Sequence, residues 1–103
     1  MKILLVCAAG MSTSLLVQKM QKAATARNIN VEIVAHASPD FEEIFRQFDV
    51  ILLGPQVRFR KDDWGPLAEA AGIPLGVISP MDYGIMNGDK VLDSALNMLK
   101  SKQ

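Results

Sequence analysis

One cysteine, Cys7, is the only thiol in this 103-residue chain, so an internal disulfide is excluded and a reducing compartment suits it. Charge of either sign is not in excess. Eleven basic residues balance eleven acidic ones, which removes the electrostatic signature of a nucleic-acid or anionic-membrane binder. Long hydrophobic runs are missing too. Ile3-Leu4-Leu5-Val6-Cys7-Ala8-Ala9 stops at Gly10, too short to span a bilayer, and Ser12-Thr13-Ser14 interrupts it before it could form a secretory signal core. No repeat, low-complexity tract or linker divides the sequence. These absences point to a cytoplasmic globular protein, with residues 1–103 forming one domain around a modest core.

What is present is an alternation of apolar β-type runs with helical patterns. The first strand is expected from Ile3 to Val6 or Cys7, a continuous run suited to a sheet covered on both faces. Leu16, Met20, Ala23 and Ala24 recur at helical spacing and predict a helix from about Ser12 to Arg27, with Gln18, Lys22 and Thr25 outward. A second strand follows over Val31 to Ala35. Ser38-Pro39 reads as an N-cap and first position of a short helix through Phe41, Ile44 and Phe45. Asp49 to Leu53 gives a third strand ended by Gly54-Pro55. A helix over Lys61 to Ala71 is expected to be interrupted at Gly65-Pro66. Ile73 to Ile78 is the fourth strand, and Val91, Leu92, Ala95, Leu96 and Leu99 mark the last helix. This βαβαβαβα order predicts an α/β fold: a four-stranded parallel open sheet, right-handed crossovers and helices on both faces.

Ligands of such sheets bind beyond the carboxyl ends of the strands. The first strand ends at Cys7 and is followed by Ala8, Ala9, Gly10, Met11, Ser12, Thr13 and Ser14. Gly10 permits an unusual backbone conformation and close approach. Successive N–H groups leading into a helix N-terminus attract an anion, and three hydroxyls add donors. Helix N-termini also favour thiolate over thiol. The segment therefore suits a nucleophilic cysteine whose product is held by the same donors, in a phosphatase-like loop. The competing reading is inert packing, common for a cysteine that ends a core strand.

Cys7-Ala8-Ala9-Gly10-Met11-Ser12-Thr13-Ser14-Leu15-Leu16 closely resembles the phosphorylation loop of IIB components of lactose, cellobiose and chitobiose phosphotransferase systems. Leu52-Leu53-Gly54-Pro55-Gln56 and Tyr83-Gly84 resemble the family's segments after the third and fourth strands. The resemblance implies a phosphoryl carrier acting as a protein-phosphohistidine–sugar phosphotransferase. Cys7 would accept phosphate from a phosphohistidine on a IIA partner. It would then pass the group to a cellobiose-, chitobiose- or lactose-type sugar carried by the membrane-embedded IIC partner. No metal or cofactor is implied, and the protein would meet the inner face of the membrane only through IIC.

Other residues on the expected active edge carry both functional and ordinary readings. Gln56, Arg58, Arg60 and Lys61 could meet a partner or offset phosphate charge, or form a solvated basic loop. Met11 suits an adaptable contact surface or simple packing. His36, expected just past the second strand, has no surroundings that specify a role. Tyr83 could offer its hydroxyl near phosphate or close the core. Met20, Met86 and Met98 read as core filler.

Two alternatives belong to other classes. A low-molecular-weight cysteine phosphatase or arsenate-reductase-like enzyme uses a similar strand–loop–helix, and Asp82 stands where such an enzyme keeps a general acid. Its loop, however, needs an arginine six positions after the cysteine to clamp phosphate, and Thr13 stands there. A non-catalytic module that binds phosphate or a partner through the same edge is the other.

Overall fold

The computed structural model describes residues 1–7, 10–37 and 41–102, with the backbone alone for 10–13 and 102. Four parallel strands, β1 (Lys2–Cys7), β2 (Glu32–Ala37), β3 (Val50–Leu53) and β4 (Leu75–Val77), form one sheet in the order β2-β1-β3-β4. Helices α1 (Gly10–Ala26), α2 (Phe41–Ile44), α3 (Lys61–Ala70), α4 (Pro80–Gly84) and α5 (Gly88–Lys102) connect or follow them. Short 3₁₀ turns cover Phe45–Gln47 and Pro55–Arg60. Among the described residues no helix is long and apolar enough to cross a membrane.

Alternation along the central strands divides the core into two layers. Ile3 and Leu5 of β1, with Val50 and Leu52 of β3, pack against Leu16, Met20 and Ala24 of α1 and Val91, Leu92 and Ala95 of α5. Leu4, Val6, Ile51 and Leu53 face the other way, onto Phe41, Phe45, Trp64 and Ala68. Both faces of each strand are thus buried, which is why these strands read as unbroken hydrophobic runs. On the second layer the Phe41 ring stacks on Phe45 at 4.9 Å and on Trp64 at 4.2 Å. Met20 is buried, and Met86 and Met98 pack against the first layer, as filler should.

Helix contacts on the first layer are unusually close at Gly88. A Cβ there would lie 2.5 Å from the carbonyl carbon of Lys19 and 2.7 Å from its oxygen, so α5 starts hard against the backbone of α1. The same junction is clasped by Arg27, whose Nη1 donates to Asp93 at 2.5 Å and Nη2 to Asp89 at 2.8 Å. Asp93 first and Asp89 second hold the guanidinium proton more firmly than usual.

Several boundaries differ from the sequence expectation for physical reasons. β2 begins at Glu32 and extends to Ala37, because Cys7 and Val6 of β1 find partners in Ala37 and His36. His36 is therefore inside the strand. Asp49 precedes β3; its N–H donates to the Lys2 carbonyl and its carboxylate accepts from the Lys2 N–H, both at 2.8 Å. Ile73 belongs to the cap of α3, not to β4. Its N–H reaches the Ala68 carbonyl at 2.9 Å while Gly72, at φ +74°, reaches Glu69 at 3.0 Å, the paired bonds of a Schellman ending. Pro66 lies inside α3 without dividing it. Gly65 lacks the Cβ that would collide with the proline ring, and Trp64 and Ala68 anchor the helix on either side.

The sequence reading also lacks α4. Ser79 caps it by accepting from the Asp82 N–H at 3.0 Å, with Pro80 in its first turn. Ser38 and Pro39, which carry the same signal before α2, lie outside the described residues.

Candidate active site

From β1 the chain moves to one side to form β2 and then crosses past β1 to form β3 on its other side, so the topological switch lies between β1 and β3. Cys7, the last residue of β1, stands at this point and is 1% exposed. Such burial is also what inert packing would produce, so burial alone does not distinguish the two readings.

α1 starts at Gly10, only three positions after Cys7. Ser12, Thr13 and Ser14 are helical as expected, and Gly10 and Met11 also belong to the helix instead of the open loop expected before Ser12, while Ala8 and Ala9 lie outside the described residues. This changes the source of the anion-attracting donors. The first four N–H groups of a helix have no carbonyl partner within it, and they carry the positive end of its dipole. Ser14 is exposed in the second turn.

On the other side of the switch, β3 ends at Leu53 and the Gly54 N–H donates to the Val6 carbonyl at 2.8 Å. Gly54 has ordinary extended angles, so its need for glycine is one of space. A Cβ there would meet Cys7 Cβ at 3.3 Å, the Val6 carbonyl oxygen at 3.4 Å and Gln56 Oε1 at 2.9 Å. The missing side chain lets the end of β3 close against Cys7, with the Gln56 carboxamide beside the same point. The sequence holds a signal for this role of Gly54: a glycine closing a buried strand often marks a close approach.

The remaining candidates separate. Arg58 is exposed in the turn after β3. Arg60 lies over the Trp64 ring, 4.5 Å from its centroid, with Asp63 at 3.6 Å, so it covers the second core layer. Lys61 lines a groove of about 680 Å³ with Gly65, Pro66, Ile73 and Met98, away from Cys7. Tyr83 is buried in the first core layer, which favours its packing role. Asp82 is half-buried and, with Ser79 and Ser94, lines a cavity of only about 20 Å³. His36 pairs in register with Val6, one residue short of the Cys7 level.

One signal escapes sequence reasoning altogether. Among the described residues five large hydrophobic side chains are exposed, and four of them, Leu15, Phe59, Met81 and Ile85, lie on segments that follow the carboxyl ends of strands. Exposed apolar side chains therefore follow the carboxyl ends of β1, β3 and β4, and Cys7 lies at the first of these ends.

Comparison with known proteins agrees with this architecture. The family model "PTS system, Lactose/Cellobiose specific IIB subunit" matches residues 2–94. The chain is 50% identical over 102 residues to the galactose-specific EIIB component of Lactococcus lactis subsp. cremoris, covering 94% of each chain. It is equally similar, with the same coverage, to the cellobiose-specific EIIB component of Lactococcus lactis subsp. lactis. The solution structure of a cellobiose-specific IIB component from Borrelia burgdorferi superposes with a TM-score of 0.83 at 48% identity, covering 100% of this chain and 94% of that one. A lactose-specific EIICB component of Lactococcus lactis subsp. lactis is 33% identical over 73 residues, 71% of this chain but only 13% of that longer protein. With a sheet whose switch point holds Cys7 beside a helix start, and a family match over nearly its whole length, the chain belongs to the lactose/cellobiose-specific IIB family of the phosphotransferase system.

Proposed function

We propose that residues 1–103 act as one phosphoryl-carrier domain of a sugar-importing phosphotransferase system and that Cys7 carries the group. IIB components act as phosphotransferases and work with IIA and IIC partners. The observation that carries the assignment to Cys7 is its placement: the end of a central strand, at the switch point, three positions before the N-terminus of a 17-residue helix.

The chemistry follows from that placement. The Cys7 sulfur attacks phosphorus on the donor's phosphohistidine. A sulfur–phosphorus bond forms, the nitrogen–phosphorus bond breaks, and the thiol's proton ends on the released imidazole. The dianionic group then lies against the start of α1, where Gly10, Met11, Ser12, Thr13 and Ser14 supply the backbone and hydroxyl donors and Ala8 and Ala9 link them to Cys7. In the second step a sugar hydroxyl takes the phosphoryl group and its proton returns to sulfur.

The sugar is a β-linked disaccharide of the cellobiose, chitobiose or lactose kind, presented by IIC at the cytoplasmic face of the membrane. The cellobiose-specific name of one relative supports that class, while the galactose-specific name of another points to a related monosaccharide. The exposed apolar side chains of Leu15, Phe59, Met81 and Ile85 give partner proteins a surface to cover while the transfer excludes water. Thr13 stands where a cysteine phosphatase needs its arginine, which sets the hydrolytic alternative aside.

Reconstitution tests the relay. With phosphoenolpyruvate, the general phosphotransferase proteins, a cellobiose-type IIA and IIC-containing vesicles, the chain should support labelling of cellobiose, and Cys7→Ser should abolish it. Sugar phosphate formed at an undiminished rate by Cys7→Ser would remove Cys7 from the mechanism.

A further inference from the structure

From the geometry we infer that Gln56 is a second phosphoryl-binding element, whose carboxamide donates a hydrogen bond to the group carried on Cys7. The inference rests on Cys7 being the phosphoryl acceptor and adds the contact made from the β3 side of the switch. A phosphoryl group presents three strong acceptor oxygens and close to two negative charges. The start of α1 can address it from one direction only. The opposite direction is the end of β3, where Gly54 lets the backbone close on Cys7. A Cβ there would lie 3.3 Å from Cys7 Cβ and 2.9 Å from Gln56 Oε1, which sets the Gln56 carboxamide beside the thiol-bearing residue.

Of the two cations in the same turn, Arg60 lies over Trp64 and beside Asp63, while Arg58 is exposed. Gln56 itself is exposed, so it is positioned by the turn Pro55–Arg60 and not by core packing. A carboxamide offers both an acceptor and two N–H donors. Its oxygen can face a thiol, and half a turn about its last bond presents the amide nitrogen to phosphate. A neutral donor also suits a carrier. It holds the dianion without the fixed double charge-assisted clamp that an arginine would supply for hydrolysis.

The test uses the whole chain as wild type, Gln56→Ala and Gln56→Glu, each phosphorylated from phosphoenolpyruvate through a cellobiose-type IIA. Two quantities are read: the rate of phosphocysteine formation by rapid quench and the ³¹P resonance of the product. Gln56→Ala should lower the rate about tenfold and move the resonance, at an unchanged melting temperature. Gln56→Glu should be slower still, because a carboxylate only accepts and repels the dianion. Wild-type rates and resonances in both variants, with Cys7 phosphorylated, would overturn the inference while leaving the carrier reading intact. A lower rate with an unmoved resonance would place Gln56 in donor docking and overturn it equally. Failure of the wild type to gain phosphate on Cys7 would remove the reading on which it stands.

Discussion

Gly54 and Cys7 face each other across the switch point so closely that a single methyl group on residue 54 would stand 3.3 Å from Cys7 Cβ. The same methyl would meet the Gln56 amide oxygen at 2.9 Å and the Val6 carbonyl at 3.4 Å. Gln56 can swing away, but Cys7 and Val6 belong to the central strand and cannot. Gly54→Ala should therefore cost about 1–3 kcal/mol in urea denaturation. It should also slow phosphorylation at least several-fold by displacing Cys7 and Gln56 from each other. Wild-type kinetics in this variant would mean that this close packing has no part in the reaction.

Gly88→Ala probes a purely structural contact. Its Cβ would lie 2.5–2.7 Å from the Lys19 carbonyl group and the Met20 nitrogen, which are backbone atoms of α1. The start of α5 must move away, loosening Val91 and Leu92 in the first core layer. A loss of about 1–3 kcal/mol is expected, with the Cys7 chemistry largely kept in the fraction that remains folded. An unchanged melting curve would show that the two helices are not held at this distance in solution.

Trp64→Ala opens the other layer. The indole is 1% exposed, stacks on Phe41 and lies under the Arg60 guanidinium. Its removal should destabilise the chain by about 3–5 kcal/mol, since no neighbour can collapse into a void of that size. Trp64→Phe retains a stacking ring and should recover much of the loss. Equal stability of the alanine and phenylalanine variants would contradict the stacking account.

The clasp between Arg27 and the start of α5 is a surface interaction, and salt should reveal it. Arg27→Ala is expected to lower the melting temperature in dilute buffer, with a gap to wild type that narrows as ionic strength rises. Because the two aspartates raise the proton affinity of Arg27, its contribution is complete below the ordinary arginine range and is lost only as pH climbs beyond it. The gap should not close between neutral pH and mildly alkaline pH.

How much of this is written in the sequence depends on whether the cause is local. β1 and β3 are legible because burial on both faces leaves continuous apolar runs, and α1 and α5 because one face repeats every three to four residues. Cys7 followed by small and hydroxyl residues raises the expectation of an anion site from the chain alone. Other features depend on distant partners. Whether Ile73 continues a strand or closes the cap of α3 is decided by its bond to Ala68, and His36 joins β2 because β1 offers it Val6. The Ser79-Pro80 start of α4 is a local signal, yet it lies where a strand–loop pattern is expected. The spatial need for glycine at 54, the detour of Arg60 onto Trp64 and the exposure of Leu15, Phe59, Met81 and Ile85 emerge only when the strands are placed side by side.

Intact-protein mass after incubation with phosphoenolpyruvate, the general phosphotransferase proteins and a cellobiose-type IIA tests the central claim most directly. The account predicts one added phosphoryl group, stable without sugar and IIC, located on the peptide that contains Cys7 and missing from Cys7→Ser. A phosphoryl group found on another residue, or retained in full by Cys7→Ser, would contradict it.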